Sequence, residues 1–189
     1  MSQDTREKAL DVAERLVQTR GYNGFSYADV AAEVGVTKAT LHYHFAGKRE
    51  LGTALIDRYS ARFVGRMSHI DDARGDARQK LLAFAGIYGD VLREGRMCLC
   101  GMLAADFETL PESMQAELLR FFDETHAWLT KVVAEGVEGG DLRIAGAPEE
   151  VAQAILGGLE GAMLVARPYR DVARFEAAAR QLLASLLAS

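Results

Sequence analysis

Proline, cysteine and long apolar runs are scarce in this chain, and each scarcity removes a class of protein. Among 189 residues there are three Pro, two Cys and one Trp. So few prolines leave the backbone free to form long helices, and no segment shows the strict apolar–polar alternation of a half-buried strand. The two cysteines stand one residue apart, as Cys98 and Cys100 in "CLC", so a disulfide framework does not hold the fold. The longest nearly uncharged apolar stretch, Ala154 to Ala166, is interrupted by Glu160 and falls short of the ~20 residues that a bilayer span needs. The opening "MSQDTREKAL" is charged from the fourth residue and lacks the apolar core of a signal peptide. A cytoplasmic protein with no membrane partner is expected.

What is present has the balance of a folded protein, with 49% apolar and 26% charged residues. A net charge of −5 argues, by itself, against a polyanionic partner. Its distribution argues otherwise. Residues 1–50 hold 7 Lys/Arg and 7 Asp/Glu, leaving 15 Lys/Arg against 20 Asp/Glu in the remainder. From Val34 to Arg49 there are Lys38, Lys48, Arg49, His42 and His44, and no carboxylate. That patch is open to a polyanion.

Apolar residues return at helical spacing throughout, which predicts an all-α protein. Leu10, Ala13, Leu16 and Val17 mark a first helix that Gly21 stops. In "FSYADVAAEVG" Ser26 and Asp29 have capping-box spacing, Phe25 and Val30 stand at hydrophobic-staple positions, and Val30 and Val34 supply a buried side. Gly35 suits the left-handed residue that ends this helix, and Thr37 can cap the next at once. Two helices joined by a short Gly-containing turn form a helix-turn-helix. In the second, Leu41 and Phe45 must face the core, which leaves Lys38, Ala39, Thr40, His42, Tyr43 and His44 outside. Small residues, hydroxyls and rings suit close approach to a surface of mixed apolar and hydrogen-bonding character, such as a major groove. "GKREL" then opens a long helix with Leu51, Leu55, Tyr59 and Phe63 at intervals of four. Cations at its start oppose the helix dipole, and a bound phosphate would reverse that sign.

The segment "GYNGFSYADVAAEVGVTKATLHYHFAGKREL", Gly21 to Leu51, resembles the DNA-binding segment of the TetR/AcrR family of bacterial transcriptional regulators. The resemblance covers about the first third of the chain: a Gly-aromatic turn, a short helix, G-V-[ST], a helix ending in aromatic-Tyr-[HY]-Phe, and a following Lys. It implies a helix-turn-helix domain over residues 1–47 and a helical ligand-binding and dimerisation domain over 48–189. It implies phosphate contacts from Thr37, Tyr43 and Lys48, and places Lys38, Ala39, Thr40, His42 and His44 at bases or the nearby backbone. His42 departs from the Tyr more often found there. Double-stranded operator DNA, a second copy of the chain and a small-molecule effector are the partners implied, with no cofactor and no metal.

The rest of the chain reads as helical on its own evidence. "DARQKLLAFAGIYGDVLREG" is apolar on two faces, and a long helix follows Pro111. The last two helices are rich in Ala, Gly and Leu. Ala154, Gly157, Gly158 and Gly161, with Leu182 and Leu186, are expected to let the same helix pair of a second chain approach closely in a two-fold four-helix interface. Its purpose would be to set two reading helices about one turn of DNA, roughly 34 Å, apart.

Cys98 and Cys100 have three readings: a soft-metal pair, an oxidant or electrophile sensor, or two small apolar residues in a buried wall. Residues two apart on a helix diverge by about 200°, so joint ligation or a direct disulfide needs non-helical backbone. Thiol sensing is what the family resemblance adds, and Arg96 would lower a thiol pKa if its side chain points toward one. The aromatic and thioether residues Tyr59, Phe63, Phe84, Tyr88 and Met102, together with Phe107, Trp128 and Met163, would line an effector cavity with the two cysteines, or form simple core. Asp106, Glu108 and Glu160 are the acids near this set. An all-helical enzyme using Cys98 or Cys100 with His126 is the alternative. Against it, no Ser-His-Asp set, Gly-rich phosphate loop or metal-ligand spacing is found, and the expectation is a non-catalytic protein.

Overall fold

The computed structural model describes residues 2–185, with side chains from residue 4. Among these residues there are nine α-helices and three short 3-10 turns. The all-α expectation holds. The chain forms two compact units: residues 1–61 with 98–121, and residues 62–97 with 122–189.

The first unit begins with α1, Ser2–Arg20, which buries Leu10, Ala13, Leu16 and Val17 and ends at Gly21 with φ 79°. A 3-10 turn at Tyr22–Gly24 leads to α2, Tyr27–Val34. The expected capping box is formed: Ser26 Oγ accepts from the Asp29 N–H and the Asp29 carboxylate accepts from the Ser26 N–H. Val30 is buried; Val34 is only half-buried, and Ala31 takes the second inward position. Helix α3, Lys38–His44, follows, and α4, Lys48–Asp72, starts in this unit with Leu51, Leu55 and Tyr59 buried.

Residues 98–121 complete this unit with α6, Leu99–Ala105, and the start of α7, Glu112–Glu138. The unit therefore reaches beyond residues 1–47. A Cβ at Gly52 of α4 would stand 2.5 Å from the Met114 sulfur and 3.3 Å from the Tyr22 ring, so the Met114 side chain would have to move to admit one.

In the second unit, α5, Ala77–Arg93, opens with a capping box between Asp76 and Gln79 and packs on α8, Pro148–Ala166, and α9, Val172–Ala184. Its two apolar faces bury Leu81, Phe84, Ala85, Ile87, Tyr88 and Leu92. Phe84 is the centre of a ring cluster: it stacks on Trp128 at 5.4 Å between centroids and meets Phe63 and Tyr88 edge-on at 6.0 and 5.5 Å. Trp128 Nε1 donates to Asp71 at 3.1 Å, and Lys80 pairs with the same carboxylate at 3.1 Å. Helix α9 lies against α8 at Gly158, where an added Cβ would be 2.7 Å from Leu182 Cδ2.

Candidate nucleic-acid interface

Helix α2 stops because Gly35 adopts a left-handed conformation, φ 78°, and the N–H of Val36 returns to the Ala31 carbonyl at 3.0 Å. Thr37 restarts the helix two residues later. Its hydroxyl accepts from the Thr40 N–H at 3.1 Å and lies 2.9 Å from the Thr40 hydroxyl. Leu41 and Phe45, one turn apart, are buried and anchor α3 to the core. Thr37, Lys38, Ala39, Thr40, His42 and Tyr43 are exposed, Tyr43 at 83% of its surface, and His44 is half-buried with its ring edge-on to Tyr43 at 5.3 Å. The outer surface of one short helix and its cap thus carries two hydroxyls, an ammonium, a phenol and an imidazole, with a second imidazole half-buried beside them.

His42 is fixed in place. Its Nδ1 lies 2.9 Å from the Ala46 carbonyl oxygen, and its ring packs on Tyr27 at 5.0 Å between centroids. Tyr27 is itself pinned, because its hydroxyl donates to the Phe45 carbonyl at 2.7 Å. Sequence reasoning missed Tyr27: its place one residue after the Ser26 cap marks a helix start, but nothing local says that its ring reaches α3.

Lys48 is half-buried. Its ammonium donates to the carbonyls of Tyr22 and Phe25 at 2.5 Å each and sits 4.2 Å from the centroid of each of those rings. Burial pulls its pKa down, against the opposing pull of the Asp106 and Asp29 carboxylates. Two of its three N–H donors hold the turn before α2, and one remains for an anion. The Tyr22 N–H on that turn donates to Asp106 at 2.8 Å, and Asn23 Nδ2 donates to the other oxygen of the same carboxylate at 3.2 Å. Asp106, read from sequence as an acid near the effector set, is committed here to the reading head.

The residues expected to line an effector cavity divide between the units. In the first, Cys98 caps the N-terminus of α6 and Cys100 lies in its first turn; both are buried, at 1% and 0% exposure, and neither is in a disulfide. The Tyr59 hydroxyl donates to Cys98 Sγ at 3.7 Å, while Met102 and Phe107 are half-buried. In the second, Phe63, Phe84, Tyr88 and Trp128 interlock as described and Met163 is fully buried. An open cleft of about 670 Å³ in the first unit is lined instead by polar residues, among them Arg49, Thr53, Asp57, Ser113 and Arg120.

Of the residues expected at a dimer interface, Ala154, Gly157 and Gly161 are exposed, and a Cβ at either of these two glycines would meet nothing within 4 Å. Gly158 and Leu182 meet each other within the chain, and Leu186 lies outside the described residues. His126 Nε2 is 2.9 Å from the Glu149 carbonyl oxygen. Since a carbonyl only accepts, that nitrogen carries the proton and is not free to act as a base. Among the described residues no group of three or more His, Cys, Asp or Glu is placed to hold a metal ion, and no helix is long and apolar enough to cross a membrane.

A helix-turn-helix with a polar, aromatic second helix, joined to a larger helical unit, defines the class of helix-turn-helix regulators. Two family models match the chain, one described as bacterial regulatory proteins, tetR family, over residues 9–55, and one as tetracyclin repressor-like, C-terminal domain, over residues 77–182. The chain belongs to the TetR family and is a transcriptional regulator. It is similar to the solved structure of a TetR-family regulator from Agrobacterium tumefaciens, with a TM-score of 0.95 and 30% identity over 100% of both chains. The reduced form of NemR from E. coli matches with a TM-score of 0.85 and 25% identity, covering 98% of this chain and 97% of that one. The HTH-type transcriptional repressor DhaR of Mycobacterium sp. strain GP1 is 25% identical over 160 residues, which cover 84% of this chain and 80% of the relative.

Proposed function

We propose that the protein is a dimeric repressor that binds a palindromic operator and leaves it when a small-molecule or thiol-reactive effector is present. The observation that carries this reading is α3 itself: capped by Thr37, anchored by Leu41 and Phe45, and presenting Lys38, Ala39, Thr40, His42 and Tyr43 to solvent. In this reading Thr37, Tyr43 and the remaining N–H of Lys48 take phosphates, and Lys38, Ala39, Thr40, His42 and His44 face base edges. Residues 1–47, with Lys48 just beyond them, read DNA, and the rest of 48–189 responds to the effector and dimerises. Repression is supported by the names of relatives such as the repressor DhaR and the biofilm-operon negative regulator IcaR of Staphylococcus aureus. Dimerisation is supported by the outward Gly157 and Gly161 and by Leu164 and Val165, each 60% exposed on α8.

The effector acts on the helices that share a unit with the reading head. Helix α6 carries Cys98 at one end and Asp106, which ties down Tyr22, at the other. Both thiols are buried, so in this reading a group added to either displaces α6, and that movement lowers operator affinity as a population shift. The NemR structure is described as a reduced form, which supports a thiol reading here.

Fluorescence anisotropy of the purified protein on the DNA upstream of its own gene, over a salt series and with and without N-ethylmaleimide, tests this. Specific binding that falls steeply with salt and is lost on alkylation, but kept by the Cys98→Ser or Cys100→Ser variant, is the expected result. Binding no tighter than to random duplex overturns the operator reading.

A further inference from the structure

We infer that His42 is a specificity-determining residue that reads a hydrogen-bond donor in the major groove, the exocyclic amino group of adenine or cytosine. This rests on the DNA-binding reading above and goes beyond it in naming the chemistry of one base contact.

Three observations carry it. First, Nδ1 of His42 lies 2.9 Å from the Ala46 carbonyl oxygen. A carbonyl oxygen has lone pairs and no proton, so the bond exists only with the ring proton on Nδ1. A neutral imidazole has one N–H, and with that proton on Nδ1 the lone pair is left at Nε2. Second, the ring is not free to turn. It packs on Tyr27, whose hydroxyl is held by the Phe45 carbonyl at 2.7 Å, and the turn that carries Ala46 is set by the burial of Phe45. Third, the residue is exposed on the outer face of α3, and Nε2 has no partner among the described residues.

Nε2 is therefore a hydrogen-bond acceptor on a fixed, exposed side chain. In the major groove adenine presents N6–H and cytosine N4–H as donors, whereas guanine presents only acceptors and thymine an acceptor and a methyl group. A tyrosine at this position, whose hydroxyl can donate or accept, would not discriminate in this way. The backbone bond at Nδ1 converts an ambivalent side chain into a one-sided one.

The test is selection of the full-length protein on a duplex library with a randomised core, in mildly alkaline buffer. The wild-type protein is expected to enrich one base pair, in one orientation, in each half-site. His42→Phe, which keeps a flat ring on Tyr27 and has no nitrogen, is expected to flatten that position and leave the others unchanged. In the selected site the amino group is then removed, with purine in place of adenine or 2-pyrimidinone in place of cytosine. Wild-type affinity should fall about three- to tenfold, the size of one hydrogen bond. This second measurement uses only the wild-type protein, so it stands even where the variant binds poorly. A selected sequence unmoved by His42→Phe, or an unchanged affinity on removing the amino group, overturns the inference while leaving DNA binding intact. No enrichment over the starting library overturns the DNA-binding reading and this inference with it.

Discussion

The carboxylate of Asp106, which caps the end of α6, accepts a hydrogen bond at 2.8 Å from the backbone N–H of Tyr22, 84 residues earlier in the chain. The carbonyl of Tyr22 receives the Lys48 ammonium from α4. The turn between α1 and α2 is thus gripped on one side by α6 and on the other by α4, and Gly21 beside it has φ 79°. Asp106→Ala leaves the N–H of the buried Tyr22 without its acceptor, at a cost of about 1–3 kcal/mol. A lower melting temperature is expected, with weaker operator binding at every salt concentration. The slope of affinity against salt should not change, since no phosphate contact is removed. Asp106→Asn keeps an acceptor oxygen and should lose less. An alanine variant that melts and binds like wild type would show that the tie is idle.

The Ser26–Asp29 capping box makes the stability of the reading head depend on acid. The backbone and side-chain hydrogen bonds from Ser26 hold the Asp29 carboxylate below its ordinary pKa. A group whose folded pKa is depressed contributes stability that is present above its unfolded value and lost as pH falls through the folded one. Thermal unfolding followed by circular dichroism should therefore show stability declining on the acid side of the ordinary carboxylate range. Asp29→Ala should lower the melting temperature at neutral pH and make that acid decline shallower. A variant with the same acid limb as wild type would assign the decline to other carboxylates.

How much was readable in advance follows the range of the interactions. The Ser26 and Thr37 caps, the Gly35 stop, the buried Leu41 and Phe45 and the outward set on α3 all depend on neighbours within four residues, and each is legible from spacing. Tyr27 on His42, 15 positions apart, is not, because helical periodicity does not say which side chain of α2 crosses to α3. Asp106 is further still from Tyr22, and its acid looked equally suited to a ligand. The glycines of α8 show the same limit. Composition marks the group as sites of close approach, but only the packing separates Gly158, which meets Leu182, from Gly157 and Gly161, which face open space.

Cys98 and Cys100 differ from solvent-exposed thiols in what can reach them. Both are buried and Cys98 receives the Tyr59 hydroxyl, so a bulky, charged disulfide reagent needs local opening before it can react. N-ethylmaleimide, small and uncharged, should modify the native protein faster relative to its rate on the unfolded chain than the charged reagent does on the same scale. Intact-mass time courses on the wild type and on each Cys→Ser variant would assign the rates. Equal slowing of both reagents by folding would mean that size and charge do not select what enters.

The two neighbouring glycines of α8 provide the sharpest test of the dimer. Gly157 is exposed and a Cβ there meets nothing within 4 Å in the chain itself. Replacing Gly by Ala in a helix is worth up to about 1 kcal/mol, so Gly157→Ala should stabilise the isolated chain. Gly157→Leu should leave helix content intact while its side chain holds a second α8 away. Sedimentation equilibrium should then show a shift toward monomer, and operator affinity should drop because one reading helix alone covers one half-site. At Gly158 the order of effects reverses: a side chain runs into Leu182 of the same chain, so Gly158→Leu should cost about 1–3 kcal/mol of folding stability, the usual range for overpacking. A Gly157→Leu protein that sediments as wild type would remove this face of α8 from the interface, whatever the oligomeric state.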